Sequence, residues 1–304
     1  MSKEKKVSNV QIYKRLLGYA MRYKTRLFLG IACGMVAGGS IFGVLAQAEK
    51  LLSSFGKNKA PDEVIVEEPL EIRLDGHLVA TTMRTPGHDY ELAVGFCVAE
   101  NLLQEAPVTG VRYCGEGPAA EYQYNVVTVE TGGQAPAPQP RIGNVSSSCG
   151  LCGSVALTEL ANRMAPVKNA ITFSVEVIQK VLGTVSEQQE MFARTGGLHA
   201  AAVFDSHGTV ELLREDIGRH NAVDKVIGSR LLSGKYNAEQ LGLFVSGRAS
   251  FEMVQKAWSG GFGTLVAVSA PSALAVDLAN AANMTLIGFA REDSMNLYAG
   301  RIDE

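Results

Sequence analysis

Net charge is what this chain has least of: 28 Lys and Arg against 31 Asp and Glu leave −3 over 304 residues. That balance excludes a global attraction to nucleic acid or to anionic lipid. Cysteine is scarce too. Five residues in a chain of this length are too few for a disulfide framework, and a reducing compartment, the cytoplasm, fits best. Cys33, Cys97 and Cys114 stand singly, and only Cys149 and Cys152 are spaced as a pair. No second Cys or His pair at a matching spacing accompanies them, so a four-ligand structural zinc site is not supplied. None of the glycine-containing turns is a P-loop. What is present is apolar content of 46% with 32 glycines, enough to bury one large core or two moderate ones.

Residues 1–60 differ from the rest. Lys3, Lys5, Lys6, Lys14, Arg15, Arg22, Lys24 and Arg26 precede a run free of charge over 27–48, long enough to span a bilayer. Gly30, Gly34 and Gly38 recur at the four-residue spacing of packed membrane helices. The stretch resembles the entry to the first membrane span of an ATP-binding-cassette exporter, and Ala46-Gln47-Ala48 also offers a signal-peptidase-like site. Two readings stand: a fused or mis-set start joined to an intact soluble protein, or a hydrophobic helix that anchors the chain. An outward-facing body collides with thiol chemistry, because free thiols and persulfides oxidise quickly outside the cytosol.

From residue 61 the pattern is α/β. Stretches 64–74 and 77–83 alternate as strands around the Asp75-Gly76 turn, a hairpin signal. Residues 89–103 carry Leu92, Phe96, Ala99 and Leu103 on one helical stripe. A strand is expected over 122–130, a linker over 131–140, and helices over 154–164, 174–182 and 219–232. The last third repeats one unit, with strands 242–246, 264–269 and 285–290 separated by helices 250–258 and 272–283. Such β-α-β units imply parallel strands joined by right-handed crossovers. Ligands on such sheets collect at the carboxyl ends of strands, beside helix N-termini. Here those ends are Ser246-Gly247-Arg248, Ser269-Ala270-Pro271-Ser272 and Phe289-Ala290-Arg291.

The most informative stretch is Ser146-Ser147-Ser148-Cys149-Gly150-Leu151-Cys152-Gly153. A Cys-x-x-Cys pair bounded by glycine and serine is suited to metal binding, redox exchange or sulfur handling, and the pair alone leaves all three open. Three further clusters mix glycine with ionisable groups, as active-site loops do. They are Arg84-Thr85-Pro86-Gly87-His88-Asp89, Arg194-Thr195-Gly196-Gly197-Leu198-His199, and residues 215–225, which hold Glu215, Asp216, Arg219, His220, Asn221, Asp224 and Lys225. Each histidine could equally be a solvated turn residue, and Asp216 a plain acid at a helix N-terminus.

In order along the chain, motifs 84–96, 147–153, 195–202, 215–225 and 246–256 resemble the formate dehydrogenase accessory sulfurtransferases, the FdhD family, over roughly residues 61–304. The resemblance implies a sulfur carrier. It would receive persulfide sulfur from a cysteine desulfurase and pass it to the bis-molybdopterin guanine dinucleotide cofactor of formate dehydrogenase, held as bound substrate with no permanent cofactor or metal. It also implies that Cys149 bears the persulfide with Cys152 as partner, and that Phe289, Ala290, Arg291, Glu292, Asp293 and Ser294 bind the guanine dinucleotide. His199, in a motif of the resemblance, joins that candidate binding set. Arg248, Arg291 and the helix N-termini suit the phosphates of so anionic a ligand. The implied fold is α/β: a cytidine deaminase-like three-layer core over 141–304, preceded by a smaller α/β domain over 61–140, in a homodimer. The first sixty residues depart from the family, which has only a short polar lead-in there.

Two rivals belong to other classes. A zinc nucleoside deaminase uses a Cys-x-x-Cys pair with an upstream His or Cys two residues before a glutamate. Cys97-Val98-Ala99-Glu100 is one residue too long for that, and no proline precedes Cys149. The other is a membrane-tethered metal-binding or redox-sensing module. Stoichiometric zinc in the purified protein would favour either rival.

Overall fold

The structure is a computed structural model that describes residues 63–114, 125–138 and 164–303. Residues 63–304 form one compact unit. The charge-free run 27–48, residues 154–163 of the helix expected over 154–164, the Cys149–Cys152 pair and the expected boundary at 140/141 lie outside the described residues.

The first sheet has strand order β2-β1-β4-β3. Strands β1 (Glu68–Leu74) and β2 (His77–Arg84) form the expected hairpin, and β1 starts four residues later than the alternation predicts. Its turn places Asp75 at φ 47 and Gly76 at φ 85, two consecutive left-handed residues, as a two-residue hairpin turn with the strands' own twist requires. Strand β3 (Gly110–Tyr113) pairs antiparallel with β4 (Val126–Glu130), which runs parallel to β1. Leu70, Ile72 and Leu74 point to one face and bury against Leu92, Ala93, Val94 and Cys97 of helix α1 (Asp89–Ala99). Helix α1 ends four residues before its apolar stripe does. Asn101 takes φ 53, which stops the helix while Leu103 stays buried in the same cluster.

The second sheet is mixed and six-stranded, with order β10-β9-β8-β7-β5-β6. Strands β5 (His199–Phe204) and β6 (Val210–Asp216) are antiparallel, and β5 is also antiparallel to β7 (Gly242–Val245). Strands β7, β8 (Thr264–Ala267) and β9 (Thr285–Gly288) run parallel, as the repeated unit predicts, and β10 (Asn296–Ala299) closes that edge antiparallel. Every residue of β7, β8 and β9 is buried, which is why they read as largely apolar runs without alternation. Helices α2 (Val175–Gln188) and the short α3 (Glu190–Thr195) precede β5. Helix α4 (Arg219–Leu232) follows β6, α5 (Phe251–Ser259) follows β7, and α6 (Ala273–Ala281) follows β8.

Strand alternation divides the core in two. Ala201, Val203, Leu243, Val245, Leu265, Ala267 and Leu286 face α4, α5 and α6. Ala202, Phe204, Phe244, Val266 and Ile287 face Ile178, Val181, Leu182 and Val185 of α2. The sheet is therefore the middle of three layers. Helix α1 of the first sheet packs on α4 of the second through two glycines. A Cβ on Gly95 would collide with the Asp224 carbonyl, and one on Gly228 with the Glu91 carbonyl. Backbones can approach this closely only without side chains between them.

Candidate functional site

The crossovers bring the carboxyl ends of β6, β7, β8 and β9 and the start of β5 to one end of the second sheet. Backbone bonds lace the turns there together. Ser269 N–H donates to the Gly247 carbonyl at 3.3 Å, Phe289 N–H to the Ser269 carbonyl at 3.2 Å, and Ser246 N–H to the Ala200 carbonyl at 2.9 Å. His199, Arg248 and Phe289–Ser294, separated by up to ninety-five positions in sequence, thereby share one sheet end.

Their states differ. Phe289 has φ 51 and is 43% exposed, whereas Ala290 is buried. Arg291 is exposed, but its Nη1 donates to the Val268 and Ala290 carbonyls. Its backbone N–H donates to the Ser294 carbonyl at 2.7 Å, closing the turn. Glu292, Asp293 and Ser294 are exposed, and Ser294 Oγ donates to Asp293 Oδ1 at 3.1 Å. Arg248 is exposed at the turn after β7. His199 is half-buried, with Nδ1 3.4 Å from Ser246 Oγ, which itself accepts from Ala200 N–H at 2.9 Å. Burial, then Arg219 and His220, push the His199 imidazole below its usual range, which favours the uncharged ring.

The cluster at 215–225 is more than a set of turn residues. Asp216 is fully buried and lies 2.7 Å from Lys225 Nζ, itself buried. Its carboxylate also accepts from Gly218 N–H (2.8 Å), Asn221 Nδ2 (3.0 Å) and Thr85 N–H (3.2 Å). Lys225 donates to the Thr85 carbonyl at 3.0 Å, and Thr85 Oγ1 accepts from Ile217 N–H at 3.1 Å. The reading of Asp216 as a plain acid at a helix terminus is too small: it pins the 84–89 turn of the first sheet onto the edge of the second. Arg84 is likewise buried, donating to both oxygens of Asp89 at 3.0 and 2.8 Å. His88 is exposed in a left-handed conformation ahead of α1, 3.4 Å from Glu91.

Sequence reasoning missed the pairing of α4 with α5. Lys256 donates to both oxygens of Asp224 at 2.7 and 2.9 Å, and His220 Nε2 lies 2.7 Å from Glu252 Oε2. Full burial raises the Asp224 carboxyl to about 6 in spite of Lys256. The available signal was periodicity: Lys256 follows Glu252 by four residues, and Asp224 follows His220 by four, so each pair shares a helix face.

Of the three single cysteines, Cys97 and Cys114 are among the described residues. Cys97 is fully buried, and burial, then Asp224, push its thiol to about 12. Cys114 is partly exposed, 3.9 Å from Arg112 Nη1. Cys149 and Cys152 lie outside the described residues. Among the described residues no group of three His, Cys, Asp or Glu could hold a metal ion, and no helix is long and apolar enough to cross a membrane.

With this arrangement known, comparison decides the lineage. The sequence profile of the FdhD/NarQ family matches residues 65–303. The chain belongs to that family. Similar curated proteins are the sulfur carrier protein FdhD of Nocardia farcinica, 46% identical over 82% of this chain and 90% of its own, and that of Streptomyces avermitilis, 46% identical over 79% and 88%. That of Anaeromyxobacter dehalogenans is 42% identical over 78% and 87%. Among solved structures, a protein assigned as a formate dehydrogenase accessory protein from Desulfotalea psychrophila shares the fold. Its TM-score is 0.63, at 23% identity over 78% of this chain and 89% of its own. The match begins at residue 65 and so leaves out the basic and charge-free N-terminal stretch.

Proposed function

We propose that this protein is a sulfur carrier acting as a sulfurtransferase, taking persulfide sulfur from a cysteine desulfurase and delivering it to the bis-molybdopterin guanine dinucleotide cofactor of formate dehydrogenase. One observation carries the reading: family membership across 65–303, with relatives named sulfur carrier proteins at 46% identity, in a chain that has Cys149-Gly150-Leu151-Cys152. In the loading step the Cys149 thiolate attacks the terminal sulfur of the desulfurase persulfide. The S–S bond to the desulfurase breaks, and its cysteine departs as thiolate. Cys152 is the partner thiol. Cys97 is unsuited, because a thiol near 12 stays protonated at pH 7.

The guanine dinucleotide is substrate here, and the strand-end turns suit it. Phe289 offers an exposed ring for a base to stack on. Arg248 offers a free guanidinium among the described residues and Arg291 a partly engaged one, both apt for phosphate. A cytidine deaminase-like core is consistent with a mixed sheet covered on both faces, and a homodimer and a boundary near residue 140 belong to the same reading.

The test is intact mass after incubation with a cysteine desulfurase and cysteine. The wild-type chain gains one sulfur mass, Cys149→Ala gains none, and the Cys33, Cys97 and Cys114 variants load normally. Full loading of Cys149→Ala ends the assignment. In parallel, Arg291→Ala weakens GDP binding by roughly 1–3 kcal/mol, and an unchanged affinity moves the nucleotide elsewhere.

A further inference from the structure

At the end of the second sheet remote from the strand-end turns lies a groove of about 770 Å³ that the sulfur-carrier reading does not use. Its walls are the loop after α1, the chain at 164–167 and the C-terminal ends of α4 and α5. Helix α4 starts beside Asp216 and runs for 14 residues, so its two ends stand about 20 Å apart. The floor is apolar: Leu103 and Val167 are 5% exposed and Trp258 4%. Trp258 is held in place by donating from Nε1 to the Ala165 carbonyl at 2.9 Å. The loop wall is held too. It contains two left-handed residues other than glycine, Asn101 at φ 53 and Gln104 at φ 51, a conformation that persists only where the surroundings impose it. A preformed volume of this size falls among those of ligand sites, about 300–1,000 Å³.

The rim is of a different kind. Tyr236 is 72% exposed and Leu232 46%, two large side chains held in water beside the apolar floor. Charge on the lining has one sign: Glu105 and Glu239 are there, both exposed, and the described lining residues include no Lys, Arg or His. Glu239 accepts from Lys168 N–H at 3.5 Å and Asn169 Nδ2 at 3.1 Å, both neutral donors. Cations close by in sequence are engaged elsewhere. Lys235 lies 4.0 Å from Glu211, and Arg230 donates to the Asn237 carbonyl at 2.8 Å. The carbonyl ends of α4 and α5 add negative partial charge at the same place. A buried apolar floor, aromatic side chains and a polar rim are the make-up of a protein-binding surface.

We infer that this groove docks a peptide segment of a partner protein, one that presents a large apolar side chain next to Lys or Arg. The apolar side chain packs on the floor against Trp258 and Tyr236, and the cation meets Glu105 and Glu239 at the rim. A partner held here leaves the strand-end turns at the other end of the sheet open, so both are occupied at once. The inference goes beyond the sulfur-carrier reading and does not need it.

Fluorescence anisotropy on the full chain tests it with three labelled peptides. The first alternates Lys with Leu and Phe, the second has Glu in place of Lys, and the third has Ser in place of Leu and Phe. The first is expected to bind, and the other two roughly tenfold or more weaker. Tyr236→Ala is expected to lose roughly tenfold in affinity for the first peptide, and Glu105→Lys to lose severalfold with a flatter dependence on salt. Phe192→Ala, an exposed aromatic changed elsewhere, is expected to bind as the wild type does. Thermal melts check that the variants stay folded, and Leu232→Ser decides if Tyr236→Ala does not. No binding by the wild type, equal binding of the three peptides, or undiminished affinity in the Tyr236 and Glu105 variants overturns the inference. So does a self-association that Tyr236→Ala abolishes while no peptide binds, which assigns the groove to a second copy of the chain. Sulfur loading of Cys149 is scored separately, so failure here leaves the carrier reading standing.

Discussion

Asp216 and Lys225 show how much one buried pair can organise. The carboxylate collects three neutral donors and one cation, and the ammonium spends its remaining bonds on the Thr85 and Glu215 carbonyls. Removing one partner strands a charge in a medium that cannot solvate it. Lys225→Met should therefore cost about 3–5 kcal/mol, while an Asp216→Asn/Lys225→Met double variant recovers part of the loss. Urea unfolding midpoints measure both, and an unchanged midpoint for the single variant would show that the pair does not hold the turns. The density of polar residues at 215–225 was legible as a sequence feature. Its meaning was not, because Thr85 lies 131 positions from Asp216, and no local pattern reports a bond of that span.

At the scale of elements, the α1–α4 crossing joins the two sheets, and it depends on Gly95 and Gly228. Gly228→Ala is expected to destabilise by about 1–3 kcal/mol or more through overpacking, despite the better helix propensity of alanine; a thermal melt reads it directly. A gain in stability would mean the helices can separate freely. The same two layers are tied by Arg214 of β6, which donates to both oxygens of Glu91 on α1 at 2.6 and 2.8 Å. Burial alone would raise the Glu91 carboxyl, but the bonds from Arg214 and His88 outweigh it and hold it at about 2, against an ordinary 4.5. A lowered carboxylate contributes stability that is complete above its unfolded value and is lost as pH falls through its folded one. The window is therefore pH 4.5 down to 2, and the contribution is on the order of 1–3 kcal/mol. Glu91→Gln should be less stable at pH 7 and show a shallower acid transition across that window, followed by circular dichroism. An identical acid profile for the variant would rule the pair out as a source of acid sensitivity.

For the whole molecule, the compact unit begins at Glu63, and the family match begins at residue 65. A chain starting near Ala60 is expected to be soluble, to unfold cooperatively and to load sulfur as the full chain does. Size-exclusion chromatography, a urea transition and intact mass after desulfurase treatment check the three properties. If the shortened chain aggregates while the full chain stays in solution without detergent, residues 1–60 belong to the core and the boundary is wrong.

By itself the sequence determined β7, β8 and β9 of the second sheet, their shared direction and the helices between them. Fully apolar tetrads such as 242–245 separated by helical stripes can be buried only as parallel strands with helices between them, and β7, β8 and β9 follow that rule. It determined the hairpin, because Asp75-Gly76 tolerates two consecutive left-handed conformations, and helix α4 to the residue. The short strands β3 and β10 were not legible: their burial patterns hardly alternate, so pairing with a neighbour, not their own periodicity, makes them strands. Only the tertiary structure decided that the glycines of α1 and α4 meet, that Asp216 faces Lys225 and Thr85, and that Lys256 reaches Asp224. Propensity and periodicity are properties of windows about ten residues wide. Close approach and charge pairing depend on which distant surfaces the crossovers bring face to face.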